Sequence, residues 1–89
     1  MAEVTADVVE REVVAFIVKN FLFGNAADAP APKASFMATG LIDSTGVLEL
    51  VAHVESCYGI SVADNELVPD NLDSVANIAA FVVRKKKGG

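Results

Sequence analysis

The chain has 89 residues, of which 53% are hydrophobic, and its formal net charge is −5. This length allows one domain with a modest core, and the hydrophobic content favours a folded domain over a disordered one. The single cysteine excludes an internal disulfide, no Cys/His cluster of the zinc-binding type is present, and no apolar run reaches the roughly 18 residues of a membrane span.

The charge is unevenly distributed. Four of the seven basic residues form one run at 84–87, and no lysine or arginine lies between Lys33 and Arg84. A surface of one sign repels nucleic acid and favours basic protein partners, although acidic domains are also simply soluble. Four cations beside an acidic body are too few to predict binding to nucleic acid or to membranes. The N-terminus lacks the basic segment of a signal peptide, so we expect a cytoplasmic protein.

Residues 5–22 are predicted to form the first helix, with Thr5 as its N-cap and Gly24 where a C-terminal cap is expected. Five apolar residues recur at helical spacing and predict its buried face: Val9, Val13, Phe16, Ile17 and Phe21. Residues 24–43 are predicted to be a long irregular loop, because its two prolines forbid a continuous helix. The apolar residues of this loop predict that it lies across the core.

Residues 44–58 are predicted to form the second helix, which Gly59 ends. Its predicted buried residues follow helical spacing: Val47, Leu50, Val51, Val54 and Tyr58. The opposite side is expected to expose Thr45, Glu49, His53 and Ser56. Ile60 and Val62 could belong to a short strand, but such a strand has no partner, so a connector is predicted.

Residues 64–68 are predicted to form a single turn that Pro69 stops. Ser74 is expected to cap a last helix over residues 75–84. The inward residues of that helix are predicted to be Val75, Ile78, Ala79 and Val82. The basic residues suit its C-terminal end, where the helix dipole favours cations.

The expected fold is therefore all-α. It is a small four-helix bundle with three longer helices, one short helix and a long first loop. We expect one domain over residues 1–89, with an ordered core at about 5–84 and a flexible basic Gly-Gly tail at 85–89.

One stretch is more specific than the rest: Gly40-Leu41-Ile42-Asp43-Ser44-Thr45-Gly46, followed by the apolar run Val47-Leu48-Glu49-Leu50-Val51. An Asp-Ser pair opening an acid-bearing apolar helix, within this order of helices, resembles the acyl carrier protein family. That family includes the carrier domains of polyketide and non-ribosomal peptide synthetases. The resemblance covers residues 5–84 and is sharpest from Gly40 to Leu50.

The resemblance implies a four-helix carrier fold and a protein that is not an enzyme. Ser44 would receive a 4'-phosphopantetheine arm from coenzyme A through a phosphopantetheinyl transferase. The arm would then hold acyl or aminoacyl groups as thioesters, supplied by a loading ligase and passed to acyl-processing enzymes. A monomer is implied.

The resemblance also implies a partner surface on the second helix. Its acids and apolar contacts fall at five residues: Asp43, Leu48, Glu49, Ala52 and Glu55. The fatty-acid type usually has a large apolar residue after the serine and often an acid next, where this chain has Thr45 and Gly46. The smaller rim leaves room for the transferase beside Ser44. In this respect the sequence resembles specialised stand-alone carriers, some of which hold aminoacyl groups, more than the fatty-acid type.

The residues around Ser44 also allow other interpretations. Ser44 could be an ordinary N-cap, or Asp43 could be the cap with Ser44 in the first helical turn. An unmodified acidic helical interaction module would explain the acids and Leu48 without any arm. Cys57 is expected to be a semi-buried filler rather than a catalytic thiol.

Two further classes are disfavoured. His53 lies nine residues after Ser44, which is about 13 Å along a straight helix, so the sequence disfavours a Ser-His-Asp hydrolase. His53 is expected to be solvated. The Gly88-Gly89 ending is like that of ubiquitin-type modifiers. That fold needs several strands, whereas the periodicity of this sequence is helical.

Overall fold

A computed structural model describes residues 5–25, 27 and 29–88, and this part of the chain contains helices and no strand. The predicted all-α class is therefore confirmed for these residues. The helices are α1 (Ala6–Phe21), α2 (Phe36–Thr39), α3 (Ser44–Tyr58), α4 (Pro69–Leu72) and α5 (Val75–Gly88), with a 3₁₀ turn at Asp64–Glu66.

Helix α1 has nearly the predicted bounds, but two of the five residues predicted to be buried, Phe16 and Phe21, are only half-buried. The Thr5 hydroxyl accepts a hydrogen bond from the Val8 amide at 3.3 Å and so caps the first turn. Val9, Val13 and Ile17 are buried, as the spacing predicted. The C-cap is Leu22 rather than the predicted Gly24, and the Leu22 amide donates to the Ile17 carbonyl at 3.2 Å. Gly24 follows at φ +84°, and its amide donates to the Val18 carbonyl at 2.8 Å.

Helix α3 begins and ends where the sequence predicted. Asp43 is extended, and its carboxylate accepts a hydrogen bond from the Gly46 amide at 2.8 Å. Gly59 follows the last turn at φ +66°, a conformation that costs glycine little. Four residues of the predicted inner face are buried, namely Leu50, Val51, Val54 and Tyr58, whereas Val47 is half-buried.

The first loop contains a helix that the sequence did not predict. Ser35 caps α2 through a 3.0 Å bond from the Ala38 amide, and Gly40 ends it at φ +75°. Phe36 is completely buried, so a tertiary contact stabilises this single turn. A four-residue helix is too short to show helical periodicity, so the prediction of an irregular loop over 24–43 was wrong here.

The region around Pro69 also differs from the prediction. Instead of stopping a turn at 64–68, Pro69 is the first residue of α4. This position suits proline because its fixed φ is helical and its missing N–H would have no acceptor there. The preceding 3₁₀ turn covers only Asp64–Glu66.

Helix α5 is longer than predicted. The Ser74 hydroxyl caps its first turn by accepting from the Asn77 amide at 3.0 Å, as expected. The predicted end at residue 84 was wrong, because the helix continues to Gly88. Lys85 forms an ion pair with Glu66 at 3.0 Å, and this contact outside the helix supports its last turns. The tail was expected to be flexible; Gly89 lies outside the described residues.

The core lies where α1, α3 and α5 meet, and α1 packs most extensively against α5. Phe36 and Phe81 are its largest fully buried side chains, and Phe81 was not among the predicted inward residues. The α5 residues predicted to point inward are all buried: Val75, Ile78, Ala79 and Val82. No helix in the described part of the chain is both long and apolar enough to cross a bilayer.

Candidate functional site around Ser44

Ser44 is the first residue of α3 and is exposed. Its neighbour Asp43 caps the helix, so the interpretation of Ser44 as the N-cap is wrong and the alternative with Asp43 is confirmed. The Ser44 hydroxyl makes no hydrogen bond to any residue that the structure describes. It is therefore available at a helix N-terminus, where backbone amides and the helix dipole favour negative charge.

Gly46 lies inside the molecule rather than on the rim beside Ser44. It is buried, and a β-carbon there would lie 2.6 Å from Cγ2 of Ile42 and 3.0 Å from Cε1 of Phe21. Ile42 is itself buried, so it has little freedom to move aside. The expectation that Gly46 opens the rim for a transferase was therefore wrong, because the missing side chain admits Ile42 instead.

An apolar groove of about 250 Å³ begins at Ser44. Its lining is Met37, Ser44, Val47, Leu48, Leu67, Val68, Pro69, Leu72 and Asp73. Leu48 is 55% exposed and Met37 is 52% exposed, and Leu67 and Val68 are also exposed large apolar residues. Most exposed large apolar side chains of the described residues therefore border one groove, which is unusual for scattered surface residues.

Asp73 holds the α2 wall of the groove. Its carboxylate accepts hydrogen bonds from the Ser35 hydroxyl and, at 3.0 Å, from the Met37 amide. Its backbone carbonyl accepts from the Phe36 amide at 2.7 Å. Asp73 alone thus binds three consecutive residues of the first loop, Ser35, Phe36 and Met37. These bonds place Met37 at the groove.

Glu66 holds the opposite wall, which includes Leu67 and Val68. Its carboxylate accepts from the Ala63 amide at 2.9 Å and from Lys85 at 3.0 Å. The Ala63 amide chiefly, and Lys85 next, lower the pKa of Glu66 below its usual value. The charged form of this carboxylate is therefore the one that the fold stabilises.

A second cavity, of about 360 Å³, is lined by the residues on either side of Ser44 in the sequence but not by Ser44 itself. It is lined by Phe21, Gly40, Leu41, Ile42, Asp43, Thr45, Gly46 and Glu49. This cavity includes two carboxylates, whereas the apolar groove includes only Asp73. Ser44 therefore lines the apolar groove, whereas its neighbours Asp43 and Thr45 line the cavity that includes two carboxylates.

The five residues predicted to bind partners do not all have the same surroundings. Asp43, Leu48, Glu49 and Ala52 are exposed on α3. Glu55 is half-buried, and its carboxylate accepts a 2.8 Å hydrogen bond from the Val62 amide. The first four residues are accessible to a partner, whereas the carboxylate of Glu55 already binds the connector after α3.

The C-terminal half of α3 differs from the expectation in two residues. His53 is half-buried rather than solvated, and its ring stacks on Phe16 with centroids 4.0 Å apart. Cys57 is exposed rather than semi-buried. At the next residue, the Tyr58 hydroxyl donates to Glu12 at 3.1 Å. Burial, followed by the Glu12 charge, raises the pKa of Tyr58 above its usual range.

Sequence reasoning missed most of the groove. Ser44 and Leu48 were predicted, but Met37, Leu67 and Asp73 were not. The separation of Asp73 from Ser35 in the sequence gives no local signal of their contact. One signal of the groove was present in the sequence. Leu67-Val68 is an apolar pair directly before a proline, and the residue before a proline is usually extended.

No protein-family model matches this chain, and a search of curated proteins finds no significant match.

Proposed function

We propose that this protein is a carrier that holds acyl groups as thioesters on a 4'-phosphopantetheine arm attached to Ser44. The observation that supports it most is a free, exposed serine hydroxyl at the N-terminus of α3 beside an apolar groove. The order of the long helices, together with the Asp43-Ser44 pair, resembles the acyl carrier proteins. The helix bundle would then be of the carrier type.

The first turn of α3 suits a phosphodiester. Unpaired amides at a helix N-terminus and the dipole stabilise an attached phosphate by about 0.3–1 kcal/mol on an exposed surface. Asp43 contributes its carboxylate to the Gly46 amide and leaves the Ser44 side chain free. Attachment breaks the pyrophosphate bond of coenzyme A, joins the phosphoryl group to the serine oxygen and releases adenosine 3',5'-bisphosphate. The transferase supplies the catalytic groups for this step.

The character of the groove favours acyl cargo over aminoacyl cargo. Seven of its nine lining residues have apolar side chains, and only Ser44 and Asp73 are polar. Burying a charged ammonium among such groups is costly, whereas each methylene placed there gains about 0.8 kcal/mol. The apolar part of an acyl group is thus the cargo that this groove suits.

Partners would dock on the exposed part of α3. Asp43 and Glu49 offer carboxylates to basic residues, and Leu48 and Ala52 offer apolar contacts on the same helix. Exposed ion pairs stabilise a complex by only ~0–1 kcal/mol each and weaken with salt. Weak docking of this kind suits a carrier that must leave one enzyme for the next.

The test of the carrier is covalent loading. The apo protein is incubated with coenzyme A and a transferase of broad specificity, and the intact mass is measured. We expect the mass gain of one phosphopantetheine in the wild type and in Thr45→Ala, which removes the neighbouring exposed hydroxyl. Ser44→Ala should gain nothing. A wild type that stays unmodified, or a Ser44→Ala variant that gains the same mass, would reject the proposal.

The docking surface is tested by transferase kinetics. Glu49→Lys should raise the KM for the apo protein about fivefold at low salt, since one reversed surface charge changes binding by roughly 1 kcal/mol. Asp7→Lys, an equal reversal on α1, should leave the KM unchanged. A KM that is insensitive both to Glu49→Lys and to added salt would contradict electrostatic docking on α3.

An unmodified interaction module is the second candidate. The exposed apolar residues along the groove favour it, because such a patch also suits a protein partner. The mass measurement separates the two functions, since the module has no use for an arm.

A further inference from the structure

His53 and Cys57 form a pair of metal-ligating side chains outside the site at Ser44. They lie four residues apart on α3, so both are on one face of the helix. The Cys57 sulfur lies 3.5 Å from Nε2 and 3.8 Å from Nδ1 of His53. Neither side chain has a role in the carrier function proposed above.

The imidazole is held in place, whereas the thiol is accessible. The Phe16 ring of α1 stacks on His53 at an interplanar angle of 19°. This contact restricts rotation of the imidazole and lowers the entropy that ligand binding would cost. Cys57 is exposed, so a cation in solution can reach its sulfur, and the thiol can turn about its Cα–Cβ bond.

We propose that His53 and Cys57 form a bidentate site for a divalent zinc-like cation. Zinc takes thiolate sulfur at about 2.3 Å and imidazole nitrogen at about 2.0–2.1 Å in tetrahedral geometry. Two such ligands lie about 3.5 Å from each other across a tetrahedral centre. The sulfur is at about this distance from Nε2, but it lies over the face of the ring, because it is almost equally far from Nδ1. A metal binds in the plane of the imidazole, so chelation needs a rotation of the thiol toward the Nε2 edge.

The site is open rather than closed. No group of three or more potential ligand residues occurs among the described residues, so water or a second copy of the chain completes the coordination. Binding converts the thiol to a thiolate, and the released proton passes to the solvent. The absence of a Cys/His cluster in the sequence excludes a four-ligand structural site, but it does not exclude this chelate.

The experiment uses the full reduced chain without an arm and titrates it with Co²⁺ and then with Zn²⁺. We expect a thiolate-to-cobalt charge-transfer band that Zn²⁺ displaces, in a ratio of one metal to one or two chains. Cys57→Ser should abolish the band, and His53→Gln should weaken binding by about tenfold or more, because a chelate becomes a single ligand. Ser56→Ala, an exposed neighbour, should bind as the wild type does.

Two results would overturn the proposal. One is the absence of the band in the wild type. The other is equal affinity in the wild type and His53→Gln, which would mean that the thiolate binds alone. Circular dichroism identifies a variant that fails to fold. Alkylation of Cys57 in the wild-type chain then replaces the Cys57 substitution, because the chain has no other cysteine.

Discussion

The two ends of α3 use their polar groups differently. At the N-terminus, one carboxylate caps the helix, a glycine admits Ile42, and the Ser44 hydroxyl has no hydrogen-bond partner among the residues that the structure describes. At the C-terminus, the polar groups bind the rest of the fold: Glu55 binds Val62, Tyr58 binds Glu12, and Lys86 donates to the Tyr58 carbonyl at 3.1 Å. The comparison indicates that one end of the helix stabilises the protein, whereas the other leaves a group available for chemistry.

The largest expected effect comes from substituting both ends of the same helix. Tyr58→Ala removes a buried ring and its hydrogen bond and should lower the free energy of unfolding by about 3 kcal/mol. Ser44→Ala should change it by less than about 0.5 kcal/mol, because an exposed side chain without partners is lost. Urea denaturation measures both values.

Equal destabilisation by the two substitutions would break the comparison. Tyr58→Phe is the intermediate control. It keeps the ring and loses only the bond to Glu12, so it should cost about 1 kcal/mol.

The second prediction concerns the wall of the groove next to Ser44. Asp73→Ala removes the acceptor for the Ser35 hydroxyl and the Met37 amide, and bonds to a charged group contribute about 1.5–3 kcal/mol. Because Asp73 is only half-buried, we expect a loss of about 2 kcal/mol in the free energy of unfolding. Asp70→Ala, an exposed acid of α4, should be nearly neutral.

Hydrogen exchange sharpens this second prediction. The Met37 amide should exchange faster in Asp73→Ala than in Asp70→Ala, because its acceptor is gone. Unchanged protection of Met37 would mean that Asp73 does not hold the α2 wall.

The third prediction tests the burial of Gly46. A methyl group at this position meets Ile42, and overpacking costs about 1–3 kcal/mol, while the higher helix propensity of alanine returns about 1 kcal/mol. Gly46→Ala should therefore destabilise the protein by about 1 kcal/mol in urea denaturation. Adding Ile42→Leu, which moves the branch away from the β-carbon and so removes the Cγ2 methyl that the new side chain meets, should recover part of that loss. A stabilising Gly46→Ala substitution would place Gly46 back on an open rim.

The same comparison explains how much the sequence could predict. The bounds of α3 were predicted because its signals are local: Asp43 caps it, Gly59 ends it, and apolar residues recur between them. The all-helical class followed from the periodicity of the longer helices. Ser44 was proposed as a site for the same reason, because the boundary between turn residues and an apolar helix is visible in the sequence.

What the sequence did not predict depends on contacts between distant residues. Helix α2 forms because Phe36 is buried and Asp73 binds its first turn, and neither contact leaves a periodic pattern. The groove combines residues from three segments that are far apart in the chain. Gly46 was assigned to the rim because a glycine has no side chain to indicate its direction, and only the packing of Ile42 reveals it.

The smallest expected effect is the pH dependence of the second groove wall. The Ala63 amide, and then Lys85, hold the pKa of Glu66 below its usual 4.5, so the folded state favours the carboxylate. A carboxylate whose pKa is lower in the folded state stabilises the fold when the pH is above its pKa in the unfolded state. This contribution disappears as the pH falls below about 4.5 and through the pKa of the folded state. Glu66→Gln should therefore have a lower urea midpoint than the wild type at pH 7, and the difference should shrink at pH 3. Asp70→Asn, the same type of substitution at an exposed carboxylate of α4, is the control. A gap between the wild type and Glu66→Gln that widens in acid would mean that the carboxylate does not stabilise this wall.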